Sequence, residues 1–140
     1  MFKKLNKKGF TLAELLIVVA IIGVLVAISI PIFTSQLEKA REATDEANIR
    51  AIYAQLTADV LTENTAATDC PAAKTYKVEK AADGVVTGTA TYTMVQQKSG
   101  TEGDKNLVIG GASIEHDDFA TGTCTIIIKS DGTPTSIAFS

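Results

Sequence analysis

The sequence has no tryptophan, a single histidine, two cysteines and three prolines in 140 residues. One histidine and two distant cysteines do not suggest a zinc site. No G-x-S-x-G nucleophile turn occurs, and no glycine-rich phosphate loop. His116-Asp117-Asp118, preceded by Glu115, lacks the spaced oxygens of a calcium loop and reads as solvated loop. No catalytic residue, metal or cofactor is therefore expected. Cations are absent from one long stretch, since no lysine or arginine lies between Glu14 and Lys39.

What fills that stretch is aliphatic. Leu15 to Phe33 is almost wholly apolar, long enough to cross a bilayer, which takes about 20 residues at 1.5 Å rise each. Lys3, Lys4, Lys7 and Lys8 precede it, which predicts a cytoplasmic N-terminus and a translocated remainder. An ordinary signal peptide has its apolar region before a small-residue cleavage site. Here no apolar region precedes Gly9. Val26-Ala27-Ile28 and Ile30-Pro31-Ile32 match such a site poorly, so the run is expected to be retained.

Beyond the membrane the even pair Cys70 and Cys124 reads as a disulfide. It would close a loop of about 55 residues, worth roughly 4 kcal/mol in the chain-entropy account. Two free buried thiols are the alternative.

The chain divides into a basic leader (1–9), an apolar transmembrane helix (10–33), an amphipathic helix (34–63) and a β-rich domain (64–140). In the second helix Phe33, Leu37, Ala40, Thr44, Ala47, Ala51, Ala54, Ala58 and Leu61 form a narrow seam at alternating spacings of four and three. Glu38, Lys39, Arg41, Glu42, Asp45 and Glu46 lie off it. A second stripe, Ile49, Ile52 or Tyr53, Leu56 and Val60, appears only later and predicts packing of that half on a domain. Asn64-Thr65 and Asp69-Cys70-Pro71 end the helical pattern. Lys74–Glu79, Val85–Gln96, Leu107–Ile109, Thr123–Lys129 and Thr135–Phe139 read as strands, with an Asp131-Gly132 turn between the last two. Gly100 to Gly103 and Gly110-Gly111 read as loops. The fold class is α+β: one long helix, its second half laid on a small antiparallel sheet.

Glu14 is the anomaly. A charge at mid-membrane costs about 2.5–3.5 kcal/mol, less near the interface. Either the side chain reaches the headgroups and has no role, or a cation meets it. Cutting after Gly9 would create one, the α-amine of Phe10.

Lys7-Lys8-Gly9-Phe10-Thr11-Leu12-Ala13-Glu14-Leu15 resembles the prepilin signal of type IV pilins and pseudopilins. The resemblance covers residues 3 to about 35. It implies a cut between Gly9 and Phe10 by a prepilin peptidase that also methylates the new Phe10 amine. It makes Glu14 the fifth mature residue, which in the family pairs with a neighbour's N-terminal amine. Thr11 and Leu12 lie within the same assembly segment. Gly23 and Pro31 fall where such helices carry weakening residues, so the helix between them could loosen on leaving lipid. The cysteine positions depart from the family's usual C-terminal loop, which puts a cysteine-bounded adhesive loop in doubt.

After removal of the leader, 9 basic side chains remain against 16 acidic, a formal net charge near −7. That balance argues against a nonspecific nucleic-acid grip; Lys74, Lys77 and Lys80 read as a solvated face. No second apolar segment or sorting motif follows up to Phe139-Ser140, which argues against covalent wall anchoring. Three readings stand: a type IV pilin, expected to be a major one, polymerising with itself for adhesion or motility; a pseudopilin of a secretion or DNA-uptake system; and a membrane-anchored binding or enzymatic domain. For the first, the implied partners are identical subunits, the peptidase, the membrane assembly machinery and lipid before assembly. The location is the cytoplasmic membrane, then a surface filament.

Overall fold

Between Leu12 and Leu61 the sequence has one glycine, Gly23, and one proline, Pro31; the rest is rich in Ala, Ile, Leu and Val. Few helix breakers interrupt it. The computed structural model describes residues 9–97, 106–115, 119 and 121–140. It shows one helix, α1 (Leu12–Leu61), followed by β1 (Thr75–Lys80), β2 (Val86–Thr93), β3 (Leu107–Ile109), β4 (Ala112–Ile114), β5 (Thr123–Lys129) and β6 (Ser136–Phe139). The basic leader up to Lys8, the Gly100–Gly103 loop and His116-Asp117-Asp118 lie outside the described residues. The α+β class expected from the sequence is the observed one.

The chain divides into two compact units, Met1–Leu37 and Glu38–Ser140. The boundary falls four residues later than the apolar-to-amphipathic change at Phe33. In the first unit, the described helical residues are all exposed.

In the second unit, β1, β2, β5 and β6 form an antiparallel sheet in that order, and β3 and β4 form a separate hairpin. Alternation sends Tyr76, Val78, Val86, Ala90, Tyr92, Cys124, Ile126 and Ile128 into the core. The helix meets them with Ile49, Ile52, Leu56 and Val60, all 0–1 % exposed, as the second stripe predicts. Each such side chain contributes about 1.5–3 kcal/mol of burial. The seam residues Ala40, Thr44, Ala47, Ala51, Ala54, Ala58 and Leu61 stay on the exposed face. Gly88, in the middle of β2, lets the two layers approach, because a Cβ there would lie 2.6 Å from Val60 Cγ2 and 2.8 Å from Leu56 Cδ1.

The Asp131-Gly132 turn connects β5 and β6 as expected, with Thr133 N donating to Asp131 Oδ1 at 2.9 Å. Gly110-Gly111, read as loop, is the tight turn of the β3–β4 hairpin, which three-residue strands were too short to announce. Both glycines have positive φ, 58° and 82°. At Gly110 a Cβ would also lie 2.0 Å from Tyr53 Cζ of α1, whereas at Gly111 it would meet nothing. Gly111→Ala is expected to cost only backbone strain, about 1 kcal/mol. Gly110→Ala adds the clash, for about 2–4 kcal/mol in all. Denaturant melts of the detergent-solubilised full chain check this, and equal losses at the two positions would show that Tyr53 does not press on the turn.

Candidate functional site

Gly9 and Phe10 precede α1 in non-helical backbone, and Phe10 is 85 % exposed. The scissile bond expected between them is therefore outside the helix. Thr11 then caps α1. Its backbone N and its Oγ1 donate to Glu14 Oε2 at 2.8 and 2.7 Å, and Glu14 N donates back to Thr11 Oγ1 at 3.3 Å. This is a capping box, in which residues three apart satisfy one another's free donors at a helix start. The carboxylate also suits the positive end of the helix dipole. Thr11-Leu12-Ala13-Glu14 fits the T-x-x-E pattern of such a box, a signal local enough to be present in the sequence.

From Leu12 the side chains are apolar and exposed: Leu12 83 %, Leu16 67 %, Phe33 67 %. The helix is long and apolar enough to cross a membrane. It runs without interruption past Gly23 and Pro31. Pro31 has no N–H to offer the Ala27 carbonyl. Nearby hydroxyls bond the backbone: Ser29 Oγ donates to Leu25 O at 2.7 Å, and Thr34 Oγ1 to Pro31 O at 3.0 Å. A Cβ on Gly23 would touch nothing, so the glycine is not demanded by packing within one chain.

The second unit holds a polar cluster that the helical pattern did not suggest. Asp45 is 0 % exposed. Its Oδ1 accepts from Tyr92 Oη at 2.6 Å and Val95 N at 2.9 Å; its Oδ2 accepts from Gln96 N at 2.7 Å and Val95 N at 3.0 Å. One helical repeat earlier, Glu38 Oε1 accepts from Gln97 N at 2.5 Å. Two helix carboxylates thus hold three successive backbone N–H groups just after β2. Burial, and after it the bond to Asp45, push the Tyr92 phenol up to about 12. At the other end of the core stripe Tyr76 Oη donates to Asp59 Oδ2 at 2.6 Å. Its phenol is pushed up as well, by burial first and then by Asp59. Asp45 lies four residues before Ile49, in line with the same stripe.

Among the lysines read as a solvated face, Lys77 Nζ lies 2.6 Å from Glu79 Oε1 and Lys80 pairs with Glu63. All three of Lys74, Lys77 and Lys80 are exposed.

Cys70 and Cys124 are two free, buried thiols in the structure. Cys70 lies in the turn before β1 and Cys124 on β5, opposite Tyr92. Both belong to the apolar cluster. Burial, with Asp45's charge adding to it, pushes the Cys124 thiol up to about 12. A buried protonated thiol is inert. Native protein at pH 8 is expected to take up no water-soluble maleimide, and denatured, unreduced protein two. Intact mass checks this; denatured protein that resists labelling until reductant is added would show a disulfide instead.

Comparison with known proteins bears on the N-terminal segment. Residues 4–30 match the prokaryotic N-terminal methylation motif. The chain is 48% identical over 48 residues to the type IV major pilin protein PilA of Myxococcus xanthus, covering 34% of this chain and 22% of that protein. It is 46% identical over 48 residues to the type IV narrow pilus major component PilA5 of Thermus thermophilus, 34% of this chain and 41% of the relative. It is 54% identical over 36 residues to the fimbrial protein EcpB of Eikenella corrodens, 26% and 23% of the two chains. The chain thus matches well under half the length of these relatives. No solved structure matches.

Proposed function

We propose, from the premise that the chain carries the N-terminal segment of the type IV pilin and pilin-like family, that it is a structural subunit, a major pilin, of a type IV pilus filament. The peptidase cuts between Gly9 and Phe10 and methylates the Phe10 amine. The subunit waits in the cytoplasmic membrane on the apolar half of α1, N-terminus inside. It then joins identical subunits through that half, with the β-rich unit on the filament surface, and serves adhesion or motility. Its role is structural rather than enzymatic.

The observation that carries this reading is the exposed start of α1. An apolar helix face that is exposed along the described residues follows a methylation motif, with one carboxylate at its mouth. Lipid covers such a surface before assembly and neighbouring helices cover it afterwards. Glu14 pairs with the Phe10 amine of a neighbour, so the charge is neutralised in the correct register. Gly23 and Pro31 allow the helix between them to loosen during transfer from bilayer to filament.

A pseudopilin is the second reading, because the matched residues 4–30 are the segment that both classes share. Electron microscopy of sheared surface filaments with intact mass of the subunit tests the proposal. The expected subunit starts at N-methylated Phe10. Filament protein retaining Met1–Gly9 would sink the processing step, and surface fibres lacking this chain would favour the pseudopilin.

A further inference from the structure

We propose that Thr11 is the positioning residue for subunit joining: it holds Oε2 of the Glu14 carboxylate and so aims Oε1 at the Phe10 amine of the incoming subunit. The inference rests on the pairing of Glu14 with that amine and assigns the mechanism of its accuracy. Both Thr11 donors go to the same oxygen, Oε2, at 2.8 and 2.7 Å. No described residue bonds Oε1. A carboxylate oxygen accepts two hydrogen bonds, so Oε2 is saturated and Oε1 keeps both lone-pair sites. A protonated N-methyl amine has two N–H donors to offer them. The two demands on the carboxylate therefore fall on different atoms and do not compete.

The cap also removes a cost. A free glutamate has three rotatable bonds that must be ordered when a partner docks. In α1 they are ordered beforehand, because both ends of the box are closed within the chain. Preorganisation of this kind strengthens association without adding an intersubunit contact. Thr11 contributes two of the three bonds through its hydroxyl, one as donor to Oε2 and one as acceptor from Glu14 N. The backbone bond from Thr11 N survives any substitution that leaves the N–H, and alone it leaves the carboxylate free to swing.

The test compares Thr11→Val, Thr11→Ser and Glu14→Gln in cells that carry only the variant chain. The readout is mature subunit in sheared filaments divided by mature subunit in the membrane fraction, so differences in cutting drop out. Valine keeps the shape of threonine and loses the hydroxyl. Its ratio is expected to fall about tenfold, which corresponds to about 1.4 kcal/mol. Serine restores the hydroxyl and is expected to match wild type. Glutamine can still close the box but has no charge, and is expected to abolish filaments. Wild-type assembly by Thr11→Val, or failure of Thr11→Ser alongside it, would overturn the positioning role while leaving the pairing of Glu14 standing if Glu14→Gln fails. Wild-type assembly by Glu14→Gln would overturn the pairing itself and this inference with it.

Discussion

Glu14→Ala is expected to yield a subunit that is inserted, cut after Gly9 and stable in the membrane, yet nearly absent from filaments. Removing the carboxylate eases residence of the single helix in lipid, since a desolvation cost disappears. On the proposed pairing, it leaves the Phe10 ammonium of a neighbour buried in the filament without a counter-charge at every contact. An uncompensated buried charge costs about 3–5 kcal/mol. At about 1.4 kcal/mol per factor of ten, the shift from filament to membrane is on the order of a hundredfold or more. The substitution also removes the box at Thr11, about 1 kcal/mol of helix stability. That loss acts on the subunit in both places and nearly cancels in the ratio. The measurement is mature subunit in sheared filaments against the membrane fraction. A yield equal to wild type would mean that Glu14 only reaches the interface and sets no register.

Asp45→Ala is expected to be the most damaging single change in the β-rich unit. It removes the acceptor from Tyr92 Oη, Val95 N and Gln96 N together. Tyr92 is 6 % and Gln96 3 % exposed, so water does not readily replace the carboxylate there. Val95 is 48 % exposed, and its N–H can find water. Each stranded donor costs about 1–3 kcal/mol, and with the discount for Val95 the total is about 3–5 kcal/mol. Domains of this size hold about 5–15 kcal/mol in all. At about 4–8 °C per kcal/mol, melting of the full chain in detergent should fall by more than about 12 °C. Asp45→Asn keeps one carbonyl acceptor and should lose roughly half as much. Because the Tyr92 phenol is pushed up to about 12 in the fold against 10.0 ordinarily, its contribution to stability is full below about pH 10 and is lost as pH rises from there towards 12. A melt unchanged by Asp45→Ala would show that segment 95–97 is held by something other than this carboxylate.

The helix, its apolar first half, the processing motif and the Asp131-Gly132 hairpin were all legible in the chain, because each depends on residues a few positions apart. Periodicity found the core stripe Ile49, Ile52, Leu56 and Val60 for the same reason. It also separated that stripe from the alanine-rich seam, which stays on the exposed face of the helix. The T-x-x-E of Thr11 to Glu14 was equally local. Asp45 was different. Its burial is decided by donors on Tyr92, Val95 and Gln96, 47 to 51 residues away. No local pattern announces that three N–H and O–H groups will converge on one carboxylate. The Gly110 turn was likewise hidden, since its requirement comes from the Tyr53 ring pressing on it from the helix. By itself the sequence determined that the helix opens with an apolar segment long enough to cross a membrane and how that helix starts, since both read short-range spacing. Only the tertiary structure decided what holds the Asp45 carboxylate and why Gly110 has no room for a Cβ, because each is set by groups that meet only after the sheet closes on the helix.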